Sequence, residues 1–188
     1  GSAQGKVRSL ERGAMVVCDG LIACIGSETK VISDLKFRRI DEEVDCRGKC
    51  VIPGFVDPHT HMCFAIRREE EFGFRLKGAS YLEILKAGGG ILSSVRAVRK
   101  ISEEGLLAAT LENAFSALRL GTTTLEIKSG YGIDTKTELK MLAVIDRVCR
   151  QTPLDVVATF MGAHAVPEEY RKAPEDYIDL LIEEMLPA

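Results

Sequence analysis

Two imidazoles one residue apart, His59 and His61, are the side chains of this sequence best spaced for chemistry. On an extended segment, residues i and i+2 point to the same face, so both rings can grip one cation. Neutral imidazole nitrogens suit zinc or iron, and a catalytic ion keeps one position for water. Such an ion lowers that water's pKa to roughly 7 in favourable cases and so makes hydroxide near neutrality. A bare His-x-His is more often two ordinary turn histidines. Here the pair follows Pro53-Gly54-Phe55-Val56-Asp57-Pro58, a short apolar strand with punctuation on both sides. The one other histidine, His164, also lies just beyond a strand-like run. Residues at the C-terminal ends of barrel strands are where α/β barrels build their sites, which favours a metal over the turn reading.

The elements that must position these residues fall into two stretches. In the first, Met15 to Gly26 reads as a β-hairpin about Asp19-Gly20, a dipeptide that tolerates φ > 0 at both turn positions. Residues 30–40 are mixed and charged, and short strands are expected at Glu43–Cys46 and Lys49–Ile52 around Gly48. From Pro53 onward, strands and helices alternate. Strand Phe55–Asp57 is followed by a short helix Ser80–Lys86 that stops at Gly88-Gly89-Gly90, a run that serves as a helix stop or a mobile lid. Ser102 N-caps a longer helix with Leu107, Leu111, Ala114, Phe115 and Leu118 on its apolar face and Gly121 at its end. Thr122–Ile127 is β-branched and strand-like, and a Gly-rich loop runs from Lys128 to Asp134. Thr135 with Glu138 forms a capping-box signature for a helix to about Arg150. A buried-type strand Asp155–Met161 and a last amphipathic helix from Pro174, with Ile178, Leu181, Ile182 and Met185, complete the pattern. Alternating strand and helix predicts a parallel α/β sheet. A full (β/α)₈ barrel needs about 250 residues. The expectation is therefore a β-rich, sandwich-type segment over 1–52 and the first half of a barrel over 53–188.

Composition narrows the function classes. With 25 basic and 28 acidic residues among 188, the net charge of −3 is too mild to recruit nucleic acid or an anionic membrane. No apolar run reaches the length of a membrane helix, and no signal core opens the chain, so the default compartment is cytoplasmic. Of the six cysteines, Cys18, Cys24 and Cys149 sit in apolar periodic segments and read as buried free thiols. Cys46 and Cys50 have no matching second pair for a zinc finger.

Pro53-Gly54-Phe55-Val56-Asp57-Pro58-His59-Thr60-His61 resembles the first-strand signature of the amidohydrolase superfamily. Further motifs are Gly78-Ala79-Ser80-Tyr81, Ala87 to Ile91, Lys128-Ser129-Gly130-Tyr131-Gly132, Thr137 to Leu142 and Gly162 to Pro167. In order and spacing they are similar to the imidazolonepropionase family, from about residue 44 to the C-terminus. The resemblance implies that His59 and His61 are the first two ligands of one divalent or trivalent ion, zinc or iron. It implies Arg68 as the holder of a propanoate, Tyr131 as a substrate contact, and His164 as a substrate-binding and catalytic histidine that orients or polarises a ring carbonyl. The family carries small residues where Ala65-Ile66-Arg67 stands. Read on their own, Arg68 is a solvated arginine with Arg67 beside it, Tyr131 a loop tyrosine, and His164 a core histidine or third metal ligand. Lys128 reads as structural, a carbamylated metal bridge being the other reading.

The reaction implied is hydrolysis of the cyclic amide C–N bond of 4-imidazolone-5-propanoate to N-formimidoyl-L-glutamate, in histidine degradation. The partner implied is that small molecule, with no nucleic acid or membrane, and a homodimer is the assembly this reading allows. By the same resemblance, a later histidine and aspartate on the metal and the acid/base carboxylate lie beyond residue 188, so the isolated chain is expected to be inactive. Two other classes stay open: a different amidohydrolase, such as a deaminase, and a non-catalytic fragment with a sticky sheet edge.

Overall fold

The computed structural model describes all residues except 1, 3, 4, 36–38 and 87. The middle of the charged 30–40 stretch and Ala87 of the motif before Ile91 therefore lie outside the described residues. The chain divides into two compact units, Gly1–Val51 and Ile52–Ala188.

In the first unit, β1 (Gly13–Cys18) and β2 (Leu21–Ser27) form the expected antiparallel hairpin. Asp19 and Gly20 take φ of 50° and 76°, the left-handed pair that a two-residue turn requires. Helix α1 (Glu28–Asp34) follows and buries Val31. The strands expected around Gly48 do not form. Asp45 captures the N–H of Arg47 at 2.9 Å, and Lys49 N–H closes a turn on Cys46 O at 3.0 Å. An extended segment is stable only with a neighbour to pair with, and among the described residues this unit has one two-stranded sheet and no sandwich.

The second unit is built on a parallel sheet in the order β3 (Phe55–Thr60), β4 (Thr122–Lys128), β5 (Asp155–Thr159). Parallel neighbours need a long return connection. Between β3 and β4 it carries α2 (Glu69–Leu76), α3 (Tyr81–Lys86), α4 (Ile91–Lys100) and α5 (Glu103–Arg119), and between β4 and β5 it carries α6 (Thr135–Gln151). Leu125 and Ile127 of β4 pack in one core with Val98 of α4, Leu106, Leu107 and Ala114 of α5, and Met141, Val144, Ile145 and Val148 of α6. Thr124, Glu126 and Lys128 alternate onto the other face. Ser102 caps α5 by accepting from Gly105 N–H at 3.1 Å, as its type predicts.

Several expectations change. Helices α2 and α4 form where no helix is expected, although Ile91, Val95 and Val98 recur at helical spacing. Phe115 is an exposed residue of α5, and Leu106 and Thr110 take the buried stripe beside Leu107 and Ala114. Strand β5 is not buried throughout: it is an edge of the sheet among the described residues, and Val157 is exposed on the face that no helix covers. After α7 (Pro174–Leu180) the last turn widens, so Tyr177, Leu181 and Met185 face inward while Ile178 and Ile182 stay exposed. All six cysteines are free, but of the three expected to be buried, Cys18 and Cys149 are exposed and Cys24 half-buried.

Cys63 is the buried thiol, and burial pushes its pKa up to about 12. The reactive thiolate is therefore suppressed at neutral pH. A maleimide at pH 7 is expected to label Cys18, Cys46, Cys50 and Cys149 and to leave Cys63 unmodified until denaturant is added. Peptide mass mapping reads the outcome, and early labelling at Cys63 would show that the segment after His61 opens in the native state.

Candidate functional site

Thr60 is the anchor between the two histidines. Its Oγ1 donates to Glu126 O at 2.7 Å and its N–H to Glu126 Oε2 at 3.3 Å, which ties the end of β3 to β4. The His59 and His61 rings lie with centroids 5.5 Å apart and planes at 64°. His61 then stacks on His164 at 4.6 Å and 17°. Tyr131 stands 5.6 Å from His61 and 5.4 Å from His164. One ring cluster thus joins the end of β3, the loop after β4 and the turn after β5.

Each loop is held for a local reason. His164 ends a single helical turn, Gly162–His164, and its Nδ1 lies 3.0 Å from Gly130 O. A carbonyl only accepts, so Nδ1 carries the proton and Nε2 of the neutral ring is left with a lone pair. Gly130, at φ 103°, permits this approach: a Cβ there would stand 2.8 Å from Met161 O and 2.9 Å from His164 Cβ. The loop itself is clamped by Glu138, which does not close a capping box. Asp134 is the N-cap of α6 and accepts from Thr137 N–H at 2.8 Å. The buried Glu138 carboxylate instead accepts from Gly130 N–H at 3.0 Å, Gly132 N–H at 2.8 Å and Ile133 N–H at 2.9 Å. From the opposite side Arg99 donates to Gly132 O at 2.9 Å and Ile133 O at 3.2 Å and pairs with Asp134 at 2.9 Å. These bonds hold Ile133 at φ 47°, a conformation that branched side chains avoid.

The electrostatics follow from burial. The His61 pKa is lowered, first by burial and then by His164, His59 and Lys128 nearby. Its neutral, lone-pair form is therefore favoured. Burial raises the Tyr131 pKa against an opposing pull from Arg68, so the phenol stays protonated and able to donate. Burial pushes Glu126 up, but hydrogen bonds from Lys128, Thr159 and Thr60 outweigh it and hold the carboxyl below its usual range. Lys128 is buried in an ion pair with Glu126, consistent with a structural role.

A cavity of about 520 Å³ adjoins the ring cluster. Arg68, Tyr131 and His164 line it together with Glu71, Phe72, Arg75, Ile91 and Ala165. Arg67 turns away to Glu112 at 3.4 Å, so Arg68 is the arginine of this pair that lines the cavity. Glu71, Phe72, Arg75 and the clamp Glu138 were not singled out as functional from the sequence. The first three recur at i, i+1 and i+4 on α2, and recognising that helix would have grouped them.

Whether these residues suit a metal can be tested on the histidines. His61 Nδ1 is buried without a hydrogen-bond partner, and the ring is biased to the neutral form that a metal ligand must take. A buried polar atom without a partner calls for an explanation, and coordination supplies one. Among the described residues no group of three or more His, Cys, Asp or Glu converges on one point. The fit is that of a partial, two-nitrogen site, His59 with His61.

No protein-family profile matches the chain. Curated relatives do. It is 60% identical over 188 residues to the imidazolonepropionase of Syntrophobacter fumaroxidans, covering all of this chain and 44% of that protein. It is 56% identical over 187 residues to that of Desulfotalea psychrophila, covering 45% of it. It is 49% identical over 183 residues to that of Haloarcula marismortui, covering 97% of this chain and 43% of that protein. The chain thus spans less than half the length of the curated relatives it matches.

Proposed function

We propose, from the premise that this chain is a relative of the N-terminal portion of imidazolonepropionases, that it contributes half of a site that hydrolyses the ring amide of 4-imidazolone-5-propanoate. Water adds at the ring carbonyl, the carbonyl C–N bond breaks, and N-formimidoyl-L-glutamate results. The observation that carries the reading is the convergence of His59, His61, Tyr131 and His164 beside a cavity bearing Arg68. In this reading β3, β4 and β5 are successive staves of a (β/α)₈ barrel. Their sequential order and the helices packed on one face support it.

Each residue has a physical role. Arg68 offers a planar fork to the propanoate. Tyr131 donates its phenol hydrogen to a ring or carboxylate acceptor. His164, with Nδ1 committed to Gly130 O, accepts a ring N–H at Nε2 when neutral, and as imidazolium it donates to the carbonyl oxygen as negative charge develops there. His59 and His61 would hold zinc or iron, and the ion supplies Lewis acidity and an activated water.

The test is a chimera in which residues 1–188 replace the matching portion of the Syntrophobacter fumaroxidans relative. The chimera is expected to consume 4-imidazolone-5-propanoate and release N-formimidoyl-L-glutamate. Residues 1–188 alone are expected to show at least about a hundredfold less turnover, because two imidazoles hold and shape an ion poorly. A folded, metal-loaded chimera that spares this substrate but deaminates or opens other rings would replace the proposal with a different amidohydrolase reading.

A further inference from the structure

We propose that Arg75 carries the charge that selects a carboxylate-bearing ligand for the cavity, while Arg68 chiefly supplies direction. The inference rests on the reading above and deepens it. Glu71 and Arg75 stand at i and i+4 on α2, Arg68 is the residue that caps its start, and all three line one cavity. That spacing brings side chains to one helix face.

Their charges are not equivalent. One oxygen of Glu71 accepts from Gly90 N–H at 2.9 Å and Ser93 Oγ at 3.3 Å, and the other lies 3.6 Å from the Arg68 guanidinium. Arg68 is therefore already partly balanced. Arg75 makes no ion pair among the described residues. With two guanidiniums and one carboxylate on its wall, the cavity carries one positive charge beyond neutrality, and that charge lies nearest Arg75. A ligand with a small ring and one carboxylate matches it. Phe72, on the same helix, also lines the cavity and offers an apolar surface to such a ring.

Titration calorimetry on the 188-residue chain tests this with two probes, 3-(imidazol-4-yl)propanoate and its neutral amide. The unsubstituted chain is expected to bind the acid about tenfold more tightly than the amide. Arg75→Ala is expected to cut that preference to about two- to threefold, the remainder coming from Arg68, and Arg75→Lys, which keeps the charge, to retain most of it. Both variants should melt as the parent does, since Arg75 is exposed. If Arg75→Ala keeps the full preference, the assignment to Arg75 is wrong while the carboxylate-binding reading stands. If the unsubstituted chain does not prefer the acid, or binds neither probe, the reading of this cavity as a carboxylate site fails and takes the inference with it.

Discussion

Glu138→Ala is expected to lower the melting temperature of the chain by about 6–20 °C. The carboxylate is buried and accepts from the N–H groups of Gly130, Gly132 and Ile133. Alanine leaves all three without an acceptor where water has no access. Each such group costs about 1–3 kcal/mol, and charged acceptors sit at the upper end. A total of about 3–5 kcal/mol is in line with breaking a buried charged network, and each kcal/mol moves the midpoint of a domain this size by about 2–4 °C. Glu138→Gln keeps the oxygen that takes most of these bonds and should lose less than half as much. The loop released would also free Gly130 O, and with it the tautomer of His164. Calorimetric melts of the two variants decide the matter. An alanine variant that melts with the parent would show that α6 does not clamp the loop.

The second large effect concerns His61 in the chimera. His61→Ala is expected to reduce bound metal to well below one ion per chain and activity by more than about a hundredfold. Losing even an outer partner of a metal ligand costs about 10–100-fold, and His61 would be a ligand itself. Chelation of the unsubstituted chimera should have the same effect, reversed by adding zinc or iron back. Elemental analysis gives a readout independent of turnover. Full metal content in His61→Ala would mean that the buried, unpartnered Nδ1 has some other purpose.

These two residues differ in how readable they were. His61 was visible because i and i+2 on a strand share a face whatever the surroundings, and the strand could be recognised from its own residues. Glu138 was visible as a residue but not as a function. Thr135 and Glu138 satisfy the capping-box spacing, yet the cap is Asp134, one residue earlier. A carboxylate at that position can reach back to the cap or forward into a neighbouring loop. Which it does depends on where Gly130 to Ile133 lie in space, which the spacing does not encode.

Local chemistry likewise determined the hairpin turn at Asp19-Gly20, the Ser102 cap and the strand at Thr122–Lys128. Each depends on a few neighbouring residues and on backbone preferences that act within one turn or one strand. The short strands around Gly48 and the burial of Cys18, Cys149, Phe115 and Ile182 were misread, because pairing and burial depend on distant partners. The cavity belongs to this second kind. Arg75 comes from α2 and Arg68 from the residue that caps it, Tyr131 from the loop after β4 and His164 from the turn after β5. By itself the sequence marked His59, His61, Arg68, Tyr131 and His164 as candidates for a cation, a carboxylate or a ring, and it did not mark Phe72 or Arg75. Tertiary structure decided that they meet, that Arg68 rather than Arg67 lines the cavity, and which nitrogen of His164 is left available. Those outcomes depend on close packing between segments far apart in the chain, and no interaction within a single segment can specify them.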